Sequence, residues 1–188
     1  MKKTMALLLA ALLTLTISGQ LYINDTPFFR SVYDVSLQVP VQVQWTLHRN
    51  DVGQNSREPS WRFASDLPDI IMHSSHSDYT NSGYDRGHMC PAKDRSLSKL
   101  AMKSTFVMSN IAPQLPALNR GAWKATEDSC RRLALLYDSV TILACPIFLG
   151  GDTATIGRGR VAVPNAFFKV AWVASSDSII SCWFYFNK

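Results

Sequence analysis

The most informative stretch of this chain is Tyr84-Asp85-Arg86-Gly87-His88-Met89, in which an acid, a guanidinium, a glycine and an imidazole lie within four residues. A neutral imidazole accepts a proton from water near neutral pH, and a guanidinium binds phosphate through a planar fork of donors. The glycine permits close approach of the backbone. The stretch therefore predicts acid–base chemistry on a phosphate. The alternative is a polar turn in which Asp85 and Arg86 pair with each other.

A second candidate element is the helix predicted over residues 119–137. Asn119, Trp123, Glu127 and Arg131 recur every four residues and therefore line one stripe of this helix. Amide and carboxylate oxygens suit Mg²⁺, a hard ion that keeps several waters and accepts few protein ligands. The alternative is a solvated helix face with an ordinary pair between Glu127 and Arg131.

The remainder of the chain predicts strands. Residues 31–47 alternate in part between apolar and polar side chains. After the helix, β-branched and aromatic runs follow at 140–148, 161–163, 167–174 and 179–186. With 188 residues, 47% of them hydrophobic and 18% charged, the chain is neither disordered nor fibrous and suits one domain. Strands, one or two helices and then more strands predict an α+β fold.

These features together resemble the DNA/RNA non-specific endonuclease family, the ββα-metal nucleases. Residues 85–88 (DRGH) resemble the family's active-site tetrapeptide. Residues 109–114 (SNIAPQ), 118–123 (LNRGAW) and Glu127 resemble its metal-binding region in order and spacing. Residues 161–170 (VAVPNAFFKV) resemble the strand that follows the active-site helix. The similarity runs from about residue 61 to residue 186.

The resemblance implies an antiparallel sheet with a ββα-metal active-site motif, in which the DRGH strand or loop adjoins the metal-binding helix. It implies an endonuclease that hydrolyses phosphodiester bonds of DNA and RNA. Contacts to phosphate and sugar carry little base information, so weak sequence preference is expected. The implied cofactor is one Mg²⁺ ion, which Mn²⁺ can replace, and the implied partners are DNA and RNA.

The resemblance also implies roles for individual residues. His88 is the expected general base that deprotonates the attacking water. Asn119 is the expected direct ligand of the metal ion, and Glu127 is expected to hold metal-bound waters. Asp85 is expected to support the site through its hydrogen bonds.

Several residues are expected on the substrate side. Arg86 and Arg131 are expected to bind the scissile or a neighbouring phosphate. The upstream phosphate contact of the family is expected at Arg62, with Arg57 as the competing candidate. The remaining expected substrate-binding residues are Asn110, Gln114 and Trp123, of which the first two are also expected to brace the metal-bearing segment.

The first 19 residues are predicted to be a secretory signal peptide. Lys2 and Lys3 precede an apolar run over 5–17, and Ser18 and Gly19 supply small residues for cleavage. The run is shorter than the roughly 18 apolar residues of a spanning helix, although an uncleaved anchor is the alternative. Residues 20–188 would then form one endonuclease domain, shortened at its C-terminus relative to the family. We expect it in the periplasm or outside the cell, away from membranes.

Charge agrees with an anionic partner but does not identify one. The chain has 19 basic and 14 acidic residues, a net charge of +5, and removal of Lys2 and Lys3 leaves 17 against 14, or +3. An excess of positive charge suits nucleic acid, and many other secreted proteins carry a similar excess.

Four cysteines permit up to two disulfides in an exported chain, in any of three pairings. A bridge between Cys90 and Cys130 is one hypothesis, because both residues flank the proposed site. Cys145 and Cys182 lie in apolar runs, where buried free thiols are expected.

Alternative interpretations concern zinc and the C-terminal aromatics. His73 and His76, with Cys90 or Asp78, offer a zinc site, although their spacing lacks the pairs of recognised zinc sites. The aromatic residues of 172–186 could form a stacking platform for single strands, but their β-rich runs favour core positions.

Three classes of function stay open. The first is a secreted Mg²⁺-dependent nuclease, and the second is a nucleic-acid-binding module of the same fold with impaired catalysis. The third is a secreted structural or adhesive β-rich protein. His88, Asn119 and Glu127 together favour the enzyme, because a binding module needs only the arginines. Dimerisation of the chain is also left open.

Overall fold

The computed structural model describes residues 19–188 except 54, 57, 59, 60, 151, 152, 174 and 177. The predicted leader up to residue 18, and Arg57, therefore lie outside the described residues. The strands are β1 (Leu21–Asp25), β2 (Arg30–Asp34), β3 (Val39–His48), β4 (Asp85–His88), β5 (Ile111–Gln114), β6 (Ser139–Ile147), β7 (Thr155–Ile156), β8 (Val161–Ala162), β9 (Ala166–Val173) and β10 (Ser178–Phe186).

The main helix is assembled from consecutive pieces. The helices are α1 (Lys99–Lys103), α2 (Pro116–Leu118), a π-helical segment (Asn119–Trp123) and α3 (Lys124–Tyr137). Short 3₁₀ turns lie at Arg49–Asp51, His76–Tyr79, Ala92–Arg95 and Met108–Asn110. No helix in the described part of the chain is long and apolar enough to cross a membrane.

Six strands form an antiparallel sheet in the order β1-β2-β3-β6-β9-β10. The alternation expected over 31–47 is clearest in β3, where Val41, Val43, Trp45 and Leu47 are buried and the residues between them are partly exposed. Such alternation is typical of a sheet with one face on the core. The predicted α+β class with an antiparallel sheet is confirmed.

A separate two-stranded antiparallel sheet contains the DRGH tetrapeptide. Strand β4, which is the DRGH tetrapeptide, pairs antiparallel with β5, with Asp85 opposite Gln114 and His88 opposite Ile111. Helix α2 begins at Pro116, two residues after β5 ends, and continues through the π-helical segment into α3. Two strands followed directly by a helix form the expected ββα unit.

The core lies between the sheet and helix α3. Cys130 and Ala134 are the buried apolar residues on α3, and Trp123 and Phe167 are among the largest fully buried side chains. The opposite sheet face carries a smaller apolar cluster of Leu143, Cys145, Val170 and Trp172.

The C-terminal aromatics divide between the two faces of the sheet. Trp172 is buried, and Trp183 and Tyr185 pack against the core, as expected. Phe184 and Phe186 are half exposed, which corrects the expectation that all lie in the core. The cause is the period-2 alternation of β10, which directs every second side chain outward.

All four cysteines are free thiols in this structure, so the hypothesised bridge between Cys90 and Cys130 is not formed. Both residues are buried, and burial raises the pKa of Cys90 to about 12 and of Cys130 to about 11. Cys145 is buried as expected, but Cys182 is exposed, contrary to expectation, because it lies on the outward-facing side of β10.

Candidate active site

One cleft brings together the end of β4 and one side of the helix. Four of the predicted site residues line it: His88, Asn119, Glu127 and Arg131. Three further cations, Lys93, Arg120 and Lys124, lie around the same cleft. Three of the four residues in the predicted helix stripe, Asn119, Glu127 and Arg131, therefore lie in the same cleft as His88.

The imidazole of His88 lies against two phenylalanine rings. Its centroid is 5.2 Å from that of Phe63 and 5.0 Å from that of Phe106. The backbone around it is also fixed, because Trp123 donates from Nε1 to the His88 carbonyl at 3.2 Å and Met89 N donates to the Asn110 carbonyl at 2.9 Å. These contacts define where a general base would lie.

A glycine is required at position 87 by packing of the hairpin. A Cβ atom there would lie 2.6 Å from Oε1 of Gln114 and 3.0 Å from the carbonyl oxygen of Ala112. Gly87 therefore lets β4 approach β5 closely, and its place beside His88 follows from that packing.

Asn119 is oriented by Asp85 on the facing strand. Asn119 Nδ2 donates to Asp85 Oδ2 at 2.8 Å, and Arg120 donates to the same carboxylate through Nε at 2.8 Å and Nη2 at 2.7 Å. Burial alone would raise the pKa of Asp85, but the hydrogen bonds from Arg120 and Asn119 outweigh it and lower the pKa. A carboxylate that only accepts hydrogen bonds leaves the amide oxygen of Asn119 as the atom available for a metal ion.

Asn119 also begins the π-helical segment of the helix. Within this segment Gly121 departs from helical geometry, with φ −104° and ψ −108°, and marks a kink between α2 and α3. Single π-helical turns inside helices are frequent at functional sites.

Arg131 is bound by two carboxylates. Its Nη1 donates to Asp94 Oδ1 and its Nη2 to Asp128 Oδ1, each at 2.7 Å. Asp94 is fully buried and also accepts from Trp45 Nε1 at 3.1 Å. Arg131 therefore pairs with Asp94 and Asp128 rather than with Glu127, and its guanidinium is held at the cleft wall.

Glu127 is partly buried between the cleft and the core. Burial raises its pKa to about 7, and attraction to the buried Lys169 opposes that shift. A carboxyl group that titrates near neutral pH is typical of functional sites, although buried ion networks show the same behaviour.

Two predicted phosphate contacts lie elsewhere. Arg86 does not line the cleft; its Nη2 donates to the His76 carbonyl at 2.6 Å and to Thr80 Oγ1 at 3.1 Å. Arg62 is exposed and donates to the Trp61 carbonyl at 3.4 Å, also away from the cleft lining. Its competitor, Arg57, lies outside the described residues.

Three predicted substrate-binding residues are fully buried, which corrects those expectations. Asn110 makes hydrogen bonds of 2.8–3.0 Å to the backbone of Cys90 and Thr105, and so braces the chain after β4. Gln114 packs beside Gly87, and Trp123 lies in the core. A side chain without exposed surface cannot touch nucleic acid in this conformation.

The donor set fits a lightly coordinated metal ion. Among the residues described, no group of three or more His, Cys, Asp or Glu could hold a metal, and the alternative zinc site at His73 and His76 is therefore not formed. The cleft instead offers the amide of Asn119 and the carboxyl of Glu127. Oxygen donors in this small number suit Mg²⁺, which keeps several waters.

Sequence reasoning missed Arg120, Asp94 and Lys169. Arg120 adjoins the predicted ligand Asn119, and that position was the one signal for it. Asp94 and Lys169 come from a 3₁₀ turn and from β9, where no local pattern links either residue to the helix.

Comparisons with known proteins identify the family of this chain. The model of the family described as "DNA/RNA non-specific endonuclease" matches residues 12–184. Nuclease 1, mitochondrial, of Schizosaccharomyces pombe is 36% identical over 157 residues, which cover 76% of this chain and 48% of that protein. Endonuclease G, mitochondrial, of Bos taurus is 41% identical over 115 residues, covering 54% of this chain and 38% of that protein.

A bacterial relative and a solved structure extend the likeness. The nuclease of Nostoc sp. is 34% identical over 134 residues, covering 71% of this chain and 48% of that protein. A chain in the crystal structure of an EndoG/EndoGI complex matches with a TM-score of 0.80 and 27% identity, covering 96% of this chain and 80% of that one. This chain spans less than half the length of the three curated relatives named here. The chain belongs to the DNA/RNA non-specific endonuclease family.

Proposed function

We propose that this protein is a metal-dependent endonuclease that hydrolyses phosphodiester bonds of DNA and RNA with little sequence preference. One observation carries the proposal: a histidine from β4 and an asparagine and a glutamate from the helix line one cleft that also has several cations. Membership of the family supports the same activity. A module that only binds nucleic acid needs the cations but not this combination.

His88 is the proposed general base. Its imidazole accepts a proton from the attacking water while the water oxygen bonds to phosphorus and the bond to the leaving oxygen breaks. Packing against Phe63 and Phe106 limits the positions of the ring, so that the base is preorganised.

Asn119 and Glu127 are the residues proposed to hold one Mg²⁺, with Mn²⁺ as an acceptable substitute. Asn119 would bind the ion through its amide oxygen and Glu127 through water. The ion, when bound, neutralises negative charge that develops on the phosphoryl and leaving oxygens. Asp85 keeps the amide group of Asn119 oriented for this role.

Phosphates are proposed to meet the cations of the cleft. Arg131, fixed by Asp94 and Asp128, supplies positive potential at the wall. Lys93, Arg120 and Lys124 are the exposed cations of the same lining. Arg86 and Arg62 remain proposed contacts only for a substrate that extends past the cleft.

We also propose that residues 20–188 act outside the cytoplasm, in the periplasm or the medium, because residues 1–19 have the pattern of a signal peptide. Two of the relatives named above are mitochondrial proteins. N-terminal sequencing of the protein recovered from the periplasm or medium tests this: a start near Gln20 supports export, and an intact Met1 in the cytoplasm contradicts it.

The activity is tested by degradation of plasmid DNA and of RNA with Mg²⁺ or with excess EDTA. We expect cleavage of both substrates only with metal, and a loss of about 100-fold or more in His88→Ala and Asn119→Ala. His73→Ala is the matched control, because His73 contacts Ser65 and Ser74 outside the cleft. Binding without cleavage by the folded wild-type protein would contradict the proposal and favour the binding module.

A further inference from the structure

A lysine occupies a core position of strand β9. Lys169 is fully buried, as are Phe167 and Ala171, which precede and follow it on the same face. Within the part of the chain that the structure describes, its Nζ has no hydrogen-bond partner. Burial of an ammonium group without hydrogen bonds is costly, and an apolar residue would avoid that cost. The position therefore calls for a role for the charge.

Lys169 contacts Trp123, and Trp123 in turn contacts a residue of the cleft. Lys169 Nζ lies 3.9 Å from the centroid of the Trp123 ring and 5.7 Å from that of Trp45. A cation over the face of a tryptophan is attracted by its π electrons, and most strongly where water is excluded. Trp123 is fully buried, so this contact is dry.

Trp123 connects strand β4, which carries His88, to the helical segment that carries Asn119. Its Nε1 donates to the carbonyl oxygen of His88 at 3.2 Å, which ties the indole to the end of β4. Trp123 is also the last residue of the π-helical segment that begins at Asn119. Movement of the indole would therefore shift the proposed base and the proposed metal ligand relative to each other.

A buried ion pair lies near the ammonium. Arg131 and Asp94 form an ion pair with each other, at 2.7 Å. Burial raises the pKa of Asp94, and attraction to Lys169 opposes that rise. The positive charge of Lys169 therefore favours the ionised form of the fully buried Asp94.

We propose that Lys169 is a positioning residue of the active site, whose ammonium holds the Trp123 indole so that His88 and Asn119 keep their relative placement. The proposal rests on the proposed nuclease function for its kinetic consequence. Its structural consequence, an immobilised indole, is independent of any activity.

The test compares Lys169→Met, which removes the charge and keeps a long side chain, with Lys169→Arg, which keeps a cation able to stack on indole. The first measurement is hydrogen exchange of the Trp123 indole N–H by NMR, with the signal assigned by its loss in Trp123→Phe. The second is kcat and KM on linear duplex DNA at saturating Mg²⁺. Trp172→Leu is the control, because Trp172 belongs to the apolar cluster on the other face of the same strand.

We expect Lys169→Met to speed exchange of the indole N–H by about tenfold or more, compared at equal free energy of unfolding. We expect its kcat to fall by about 10- to 100-fold with KM within about twofold, because the reacting groups are misplaced while the outer cations are unchanged. Lys169→Arg should stay within a few-fold of wild type in both measurements, and Trp172→Leu should lose only global stability.

Wild-type exchange and kcat in folded Lys169→Met would overturn the proposal and leave Lys169 a core residue only. If Lys169→Met does not fold, the result for Lys169→Arg decides whether the proposal stands. Wild-type exchange of the Trp123 indole N–H and wild-type kcat in Lys169→Arg would support the proposal, and the loss of both would contradict it. If the wild-type protein cleaves no nucleic acid, the proposed function fails, while the exchange measurement still decides whether Lys169 holds Trp123.

Discussion

At the residue scale, the direction of one amide group decides whether the cleft can hold a metal ion. Asn119 has an oxygen that binds cations and a nitrogen that cannot. Asp85 accepts from the nitrogen and is itself held as an anion by Arg120, with lengths of 2.7–2.8 Å. Partners that orient a ligand in this way commonly change metal affinity by about 10- to 100-fold when removed.

Asp85→Asn should therefore weaken the use of metal rather than the fold. An asparagine at this position can donate to the Asn119 oxygen and turn its nitrogen toward the cleft, and it loses the ion pair with Arg120. We expect the Mg²⁺ concentration for half-maximal cleavage to rise about 10- to 100-fold. Asp128→Asn, which removes another acid of the same cleft, is the control. An unchanged Mg²⁺ requirement in Asp85→Asn would contradict the orienting role.

The raised pKa of Glu127 predicts how the stability of the folded protein depends on pH. Burial raises its pKa from 4.5 to about 7, so the folded state binds the proton more tightly than the unfolded state. The contribution of the Glu127 carboxyl group to the free energy of unfolding is fully present below about pH 4.5. It is lost as the pH rises through about 7.

The measurement is thermal unfolding of the wild type and of Glu127→Gln in EDTA between pH 4.5 and 8. We expect the wild type to lose about 1–3 kcal/mol relative to the variant over this range, after allowance for the partial exposure of the group. Parallel curves for the two proteins would show that the carboxyl group titrates normally in the folded state.

At the element scale, one carboxylate joins the 3₁₀ turn Ala92–Arg95 to helix α3 and to strand β3. Asp94 is fully buried and accepts from Arg131 on α3 and from Trp45 on β3. Asp128, the other partner of Arg131, is on the surface of α3, with half of its side chain exposed. The same guanidinium thus has one buried and one exposed acidic partner.

Asp94→Asn should destabilise the fold far more than Asp128→Asn. Asp94→Asn leaves Arg131 with only the exposed Asp128 as its partner. Breaking a buried ion pair in this way typically costs about 3–5 kcal/mol. Loss of the exposed partner costs about 1 kcal/mol or less. Urea unfolding of both variants measures the difference, and equal losses would mean that Asp94 contributes no more than a surface pair.

Periodic elements of this fold could be predicted from the sequence, whereas contacts between distant segments could not. The alternation of β3 follows from local spacing. The four-residue recurrence in the helix correctly predicted that Asn119 and Glu127 share one cleft, although a kink at Gly121 lies between them. The partners of these residues follow from tertiary packing: Arg131 contacts Asp94 from a turn 37 positions earlier. A stretch such as residues 84–89 predicts which groups react but not that Arg86 turns away from the cleft toward His76.

At the scale of the whole molecule, four basic residues line the cleft in which nucleic acid is proposed to bind. The sequence has an excess of basic residues, with a formal charge of +5, and Lys93, Arg120, Lys124 and Arg131 all line the cleft. Cations that neutralise phosphates release bound counterions, so that affinity falls as salt rises. A cation elsewhere on the surface contributes much less to that release.

Lys124→Gln should therefore reduce the salt dependence of DNA binding, whereas Lys103→Gln should not. Both lysines are exposed, but Lys124 lines the cleft and Lys103 is on α1, outside the lining. We expect the slope of log affinity against log salt to become shallower by about 0.9 for Lys124→Gln on duplex DNA, the change for one lost phosphate contact. Binding is measured with His88→Ala in EDTA so that the DNA stays intact, and sedimentation of the free protein fixes its oligomeric state. The two lysines differ in position, since only Lys124 lines the cleft. Equal slopes of log affinity against log salt in the two variants would therefore mean that the duplex binds away from this cleft.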